Sequence, residues 1–350
     1  MAKDSVNKIL RRVLITRFSA LGDVAMTIPI VYPVCEANPK VNFVFATRKM
    51  AEGMFVNRPA NLIVLGIDLG QYTGIFGPMK LALNLQHRYN FDAVADLHDV
   101  LRTMLMTFAL KRKGVTIATI DKGRKEKRRL TRGKSKQPVL STHARYKDVF
   151  RQLGLNLGEE FNSIFSQGEV PRSPIVPAKE PGDRWIAVAP FSAHRGKEYP
   201  LEQMKLVIAE MSRWENCHIF LMGGGKKERD LLDPIMRRYP NVLSLPHIKH
   251  SFADELSLLA HCDVMLTMDS ANMHLASLID LPVVSVWGAT HPSCGFMGWH
   301  QAVRDTVQLE LDCRPCSVFG NKKCRYGDYH CMRDISPELI LDKVKTVLQR

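Results

Sequence analysis

The chain has 350 residues, 45% of them apolar and 24% charged, a globular balance that excludes fibrous, collagen-like and wholly disordered classes. Its 49 lysines and arginines against 35 acids leave a net charge of +14, which points to an anionic partner: nucleic acid, an acidic membrane or a phosphorylated substrate. No run of 18 apolar residues occurs, and Met1–Lys8 carries no apolar leader core, so a cytoplasmic protein without a transmembrane helix is expected.

Strand-like and helix-like segments alternate from the start. Arg12–Thr16, Val41–Ala46, Leu62–Leu65, Phe91–Leu97 and Val115–Ile120 read as strands. Helix-like stretches lie between them: one from the turn after Thr16 to Ala37, then 48–56, 78–89 and 100–112. Residues 111–147 are strongly basic, densest at Lys122–Arg129, and read as a mobile loop among Gly, Ser, Thr and Pro. Gln167–Asp183 holds four prolines and two glycines, an extended connection that suggests a domain boundary.

The alternation then restarts. Trp185–Pro190, Cys217–Met222, Val242–Leu245, Asp263–Met268 and Val283–Trp287 are strand-like. Helix-like stretches are Leu201–Trp214, Lys226–Arg238, Phe252–His261, Ala271–Ile279 and, after a Ser336-Pro337 start signal, Pro337–Leu348. This order predicts an α/β protein with two doubly wound, Rossmann-like domains facing a cleft, ligands binding at the carboxyl ends of the strands.

Four segments could carry chemistry. In Arg17–Asp23, Gly22 permits a tight turn and Asp23 falls at a helix start, either as an ordinary cap or as a carboxylate able to take a proton from a hydroxyl. In Phe191–Pro200, Arg195 and Lys197 could hold a phosphate and Ser192 donate to one, or the segment is a plain solvated loop. Gly223 and Gly224, between strand and helix, allow close backbone approach to a ligand, or form a plain flexible loop. This segment is neither G-x-G-x-x-G nor Walker A, so nicotinamide and ATP-hydrolysis chemistry lose support. In Met268–Ala276, Asp269 and Ser270 can cap the helix that follows, whose free amides suit a diphosphate, and His274 lies one turn in. Cys313, Cys316, Cys324 and Cys331 fall within 19 residues. In a reducing compartment such a cluster raises a structural zinc site, beside free thiols and disulfides.

These blocks, in this order, resemble glycosyltransferase family 9, the heptosyltransferases of lipopolysaccharide core assembly, over nearly the whole chain. The blocks are Ser19–Asp23; Asp96 with Leu101-Arg102-Thr103; Ser192, Lys197 and Tyr199-Pro200; Asp269–His274 with Trp287-Gly288-Ala289-Thr290; and Cys313-Arg314-Pro315-Cys316. The resemblance implies GT-B architecture. The acceptor-side domain would span 1–175 with the basic loop 121–142, and the donor domain 183–350 with the cysteine-rich segment and terminal helix. It implies inverting transfer of a heptose or related sugar from a nucleotide-diphosphate donor, ADP-heptose, to a lipopolysaccharide core or lipid A-type acceptor. Asp23 would be the general base. Ser192, Lys197, Gly223, Gly224, Asp269, Ser270, Ala271 and His274 would surround the donor. Ser19, Arg102, Lys125, Arg128 and Arg129 would meet the anionic glycolipid acceptor, with peripheral contact to the inner membrane. No cofactor is expected for catalysis, and the lack of an Asp-x-Asp pair fits a metal-independent design. The family more often has Thr-Gly at Ser270-Ala271 and Lys-x-Trp-Pro where this chain has Lys197-Glu-Tyr-Pro. Two rivals are a GT-B nucleotide-sugar epimerase, which consumes donor without acceptor, and a non-catalytic polyanion-binding protein. Nucleic acid is not expected, because the basic stretch lacks interleaved aromatics.

Overall fold

The computed structural model describes residues 10–166 and 168–350. The leaderless reading of Met1–Lys8, and Gln167 at the start of the proline-rich segment, lie outside them.

The first unit runs to Lys122 and takes in Thr142–Phe161. Its elements are β1 (Arg12–Thr16), α1 (Leu21–Ala25), α2 (Ile28–Ala37), β2 (Asn42–Arg48), β3 (Leu62–Ile67), α3 (Phe76–Tyr89), β4 (Ala93–Asp96), α4 (Leu101–Lys111) and β5 (Thr116–Thr119), with α6 (Thr142–Gln152) returning after an excursion of the chain. The strands form one parallel sheet in the order β3-β2-β1-β4-β5. β1 lies at the centre, and Val13–Thr16 are buried on both faces, which is why the strand reads as an unbroken apolar run. The single helix expected after β1 is two: Pro29 has no N–H to continue a helix, so α2 starts afresh at Ile28 with the proline in its first turn.

The second unit comprises Gly123–Ser141 and Asn162–Arg350. It holds α5 (Arg124–Leu130), β6 (Arg184–Ala189), α7 (Leu201–Met211), β7 (Cys217–Leu221), α8 (Gly225–Arg238), β8 (Val242–Ser244), α9 (Phe252–Ala260), β9 (Val264–Met268), α10 (Ala271–Ser277), β10 (Val283–Val286), β11 (Thr306–Val307), α11 (His330–Arg333) and α12 (Pro337–Leu348). Its parallel sheet runs β11-β10-β9-β6-β7-β8. α7 and α12 pack on its core through Met204, Val207, Ile208, Ile340 and Val344. Ser336 caps α12, its hydroxyl accepting from Leu339 N at 3.3 Å ahead of Pro337. Two Rossmann-like units in one chain are the GT-B pattern.

The domain limits differ from those expected. The basic stretch is not a loop of the amino-terminal domain: its core is the helix α5, which packs in the second unit. Lys127 and Leu130 are buried, and the Lys127 ammonium sits 4.1 Å from the Phe296 ring centroid. Val139 N donates to Ser293 O at 2.9 Å. The boundary also falls at Phe161, ahead of the prolines, because Ile164 N donates to Leu278 O at 2.8 Å and Lys179 pairs with Asp263 at 2.6 Å, tying the connection to the second unit. Among the described residues no helix is long and apolar enough to cross a membrane.

Candidate active site

In the first unit the site grows from the end of β1, beside β4, where the strand order reverses and ligands of open α/β sheets bind. Asp23 is the third residue of α1, and its Oδ2 accepts from Ala20 N at 3.0 Å, the reach-back of a capping box. The same oxygen pairs with Arg17 at 2.5 Å. The guanidinium is buried and donates to Leu97 O at 2.7 Å, so it cannot swing away from the carboxylate. The Asp23 side chain is 24% exposed. Tyr146 of α6 lies beneath, its hydroxyl donating to Asp23 O at 3.3 Å.

His98 completes this turn. Its Nδ1 accepts from Phe18 N at 3.4 Å, so the ring proton sits on Nε2, which donates to Ser19 Oγ at 3.2 Å. Burial, with the Arg17 and Lys122 charges adding to it, pushes the imidazole down to about 3 and keeps it neutral. With its oxygen lone pair engaged, Ser19 has its own hydroxyl proton left to donate. Asp96 braces the end of β4: its Oδ1 accepts from Thr16 Oγ1 at 3.0 Å and His98 N at 3.0 Å, and burial raises its carboxyl above the usual range. Arg102 is half-buried and donates to Tyr72 O at 3.0 Å.

In the second unit three adjacent strands, β6, β9 and β10, deliver Lys197, Asp269 and Thr290 to one edge. The Lys197 ammonium pairs with Asp269 Oδ2 at 2.9 Å, and Thr290 Oγ1 donates to the same oxygen at 2.8 Å. The Asp269 side chain is 4% exposed and that of Lys197 16%, so the lysine is the less buried member of the pair. Glycines set its position. A Cβ on Gly320 (φ +74°) would stand 2.6 Å from Lys197 Cγ, and one on Gly196 2.7 Å from Gly320 O. Ala289 N donates to Gly196 O at 2.7 Å, locking the lysine turn to the end of β10. Ser270 caps α10 by accepting from Asn272 N at 3.3 Å. Arg314 clamps the β10 turn from outside, with bonds to Trp287 O (3.1 Å), Thr290 O (3.0 Å) and Gly288 O.

A family model of glycosyltransferase family 9 (heptosyltransferase) matches residues 79–330, more than half of the chain. The chain belongs to that family. Lipooligosaccharide heptosyltransferase 2 of Campylobacter jejuni is 23% identical over 337 residues, covering 94% of this chain and 96% of its own. Among solved structures, a family 9 glycosyl transferase from Veillonella parvula superposes with TM-score 0.71 at 18% identity, 97% of each chain covered. The E. coli heptosyltransferase WaaC, solved with ADP, gives 0.67 at 16%, covering 96% of this chain and 99% of its own.

The family 9 fold thus gathers Lys197 and Asp269 in one unit and Ser19 and Asp23 in the other. Ala271 opens α10 behind Ser270, and His274 is buried one turn in. Ser192 is half-buried on the loop after β6. The glycine loop behaves differently from its expectation: Gly224 N donates to Glu228 Oε2 at 2.7 Å, so that amide is taken, and a Cβ on Gly223 would lie 3.0 Å from the same oxygen. Lys125, Arg128 and Arg129 are exposed on α5 of the second unit, apart in the chain's organisation from Ser19 and Arg102 in the first.

The four clustered cysteines and His330 line a cavity of about 400 Å3 together with Leu130–Gly133. Cys313 Sγ lies 3.8 Å from His330 Nε2. Burial pushes the Cys331 thiol up to about 11. Burial also opposes ionisation of Cys324, yet backbone N–H groups, that of Tyr329 foremost, hold its thiol below the ordinary value. Among the described residues no three His, Cys, Asp or Glu are gathered as a metal-holding set. The same segment does carry Arg314, which sequence reasoning passed over in favour of the thiols around it. Arg17 and Thr290 lay within quoted segments without a role of their own, and His98 and Tyr146 were not named; their roles arise from burial and from long-range pairing.

Proposed function

We propose that this glycosyltransferase moves a heptose from ADP-heptose to a lipopolysaccharide core or lipid A-type acceptor, with inversion at the anomeric carbon. Asp23 takes the proton of the acceptor hydroxyl as its oxygen bonds to the anomeric carbon. The bond from that carbon to the β-phosphate oxygen breaks, and ADP departs with added negative charge. Lys197 meets that charge, held in place beforehand by Asp269 and Thr290 so that little reorganisation accompanies the reaction. Ser19, aligned by His98, and Arg102 bind acceptor oxygens. Lys125, Arg128 and Arg129 attract acidic groups of the glycolipid, at the cytoplasmic face of the inner membrane.

The observation that carries the reading is the Lys197–Asp269–Thr290 triad, an ammonium fixed where the β6, β9 and β10 turns meet. The relatives named heptosyltransferases, and the ADP bound by the E. coli neighbour, support the choice of sugar and nucleotide. The test is ADP release by the purified protein from ADP-heptose, with and without a lipid A-type core acceptor. Release only with acceptor, giving a product of inverted anomeric configuration, is expected. Release of nucleotide or a changed sugar from donor alone would favour an epimerase.

A further inference from the structure

Two helices of the first unit present an apolar face that the described residues leave open. α3 and α4 bury Leu81, Ala82 and Leu85, and Met106, Ala109 and Leu110, against the sheet. On their outer side Ile75 is 68% exposed, Phe76 79%, Leu101 72%, Met104 55% and Phe108 52%. Positions 101, 104 and 108 follow the spacing of one helix face. The bond from Arg102 to Tyr72 O ties the start of α4 to the turn that leads into α3, so the apolar residues of both helices adjoin at that end. Exposed apolar residues gathered on neighbouring helices mark a surface for interaction.

Charge selects the occupant. α3 and α4 contain no Asp or Glu, while Lys80, Arg88, Arg102 and Lys111 lie within them and Arg112 and Lys113 follow directly. The Arg112 guanidinium stands 5.8 Å from the Phe108 ring centroid, a cation beside the apolar face rather than opposite it. Exposed aromatic and aliphatic groups on helices that carry cations and no acids match an anionic bilayer surface, where apolar groups enter the headgroup boundary and cations meet lipid phosphates.

We infer that this α3–α4 face docks the protein on an anionic lipid bilayer. The inference rests on the proposed lipid-linked acceptor and names the surface that brings the enzyme to it. The test is sedimentation of the whole protein with vesicles of phosphatidylethanolamine and phosphatidylglycerol, 150 mM salt, against vesicles of phosphatidylcholine alone. Wild type should bind the anionic vesicles. The double variant Phe76→Ser/Phe108→Ser should bind about 30-fold more weakly, given ~1 kcal/mol for each of two partly inserted rings. Lys111→Glu/Arg112→Glu should weaken binding at least fivefold. Both variants change exposed residues, so unaltered thermal melting is expected and turnover on a deacylated, water-soluble acceptor should stay within twofold of wild type. Undiminished vesicle binding by both variants overturns the inference. So does equal wild-type binding to phosphatidylcholine, binding lost only on reversing Arg128 and Arg129, or a wild-type dimer that these variants turn into monomer. Vesicle binding is read without any sugar nucleotide, so a failure of the transferase reading shows separately, as absent turnover in wild type.

Discussion

The turn after β1 and the turns after β6, β9 and β10 each hold one charged atom at the carboxyl end of a parallel sheet, but by different means. The first is nearly contiguous: Arg17, Ser19 and Asp23 lie within seven residues, and the turn after β4 adds the supporting carbonyl of Leu97 and the ring of His98. The second is assembled from three strands, with glycines letting Gly196, Ala289 and Gly320 approach closely enough to fix a lysine. A carboxylate meant to take a proton can be aimed by its own turn. An ammonium on a four-carbon stem has to be gripped along its length, and that takes several loops.

Substitutions can break this contrast, from severe to mild. Asp23→Ala should lower kcat by about 10³-fold with donor affinity nearly unchanged, read by ADP release and by nucleotide titration. Lys197→Ala should cost about 10² in kcat and also weaken donor binding, since its charge serves both states. Equal donor affinity in wild type and Lys197→Ala would remove the lysine from the site. Acid should act on the first turn. His98 is neutral when folded and is held at about 3 against 6.5 unfolded, so its contribution is fully present above pH 6.5 and is lost as pH falls toward 3. Thermal unfolding across that range should show about 5 kcal/mol of lost stability that His98→Gln largely lacks. Gly320→Ala forces a side chain into a left-handed backbone and against the lysine stem, for about 1.5 kcal/mol of stability and about tenfold in kcat. Thr290→Val removes one bond to Asp269 and should be mildest, about 1 kcal/mol and a few-fold in kcat.

Much of the fold was legible because a parallel sheet covered on both faces leaves long apolar runs separated by turns. Arg12–Thr16 and Trp185–Pro190 are of this kind, and the observed strands lie within a few residues of their expected limits. α6 was not legible. Thr142–Gln152 is polar overall, and Tyr146, Val149 and Phe150 reveal themselves as a buried face only once the first unit is there to bury them. β11 spans two residues, too short for any periodicity. The positions of Asp23 and Lys197 in turns after strands were legible from the apolar runs before them, but the cap and proton-acceptor readings of Asp23 stayed open, and the structure shows the cap bond from Ala20 N. His98 was not, because a lone histidine shows neither its tautomer nor its burial in a sequence. The placement of α5 depended on a ring 169 residues further along, at Phe296, and no local pattern carries that information.

The chain's excursion has a practical side. Because the backbone passes from the first unit to the second at Lys122, back at Thr142 and out again after Phe161, neither unit is an uninterrupted stretch of the gene. Splitting the protein at the proline-rich connection would strand α5 on the wrong fragment, with Lys127 and Leu130 stripped of their packing. A fragment containing only the residues after that connection would lack a helix of its own core. A fragment meant to keep the second core whole must carry 123–141 together with 162–350.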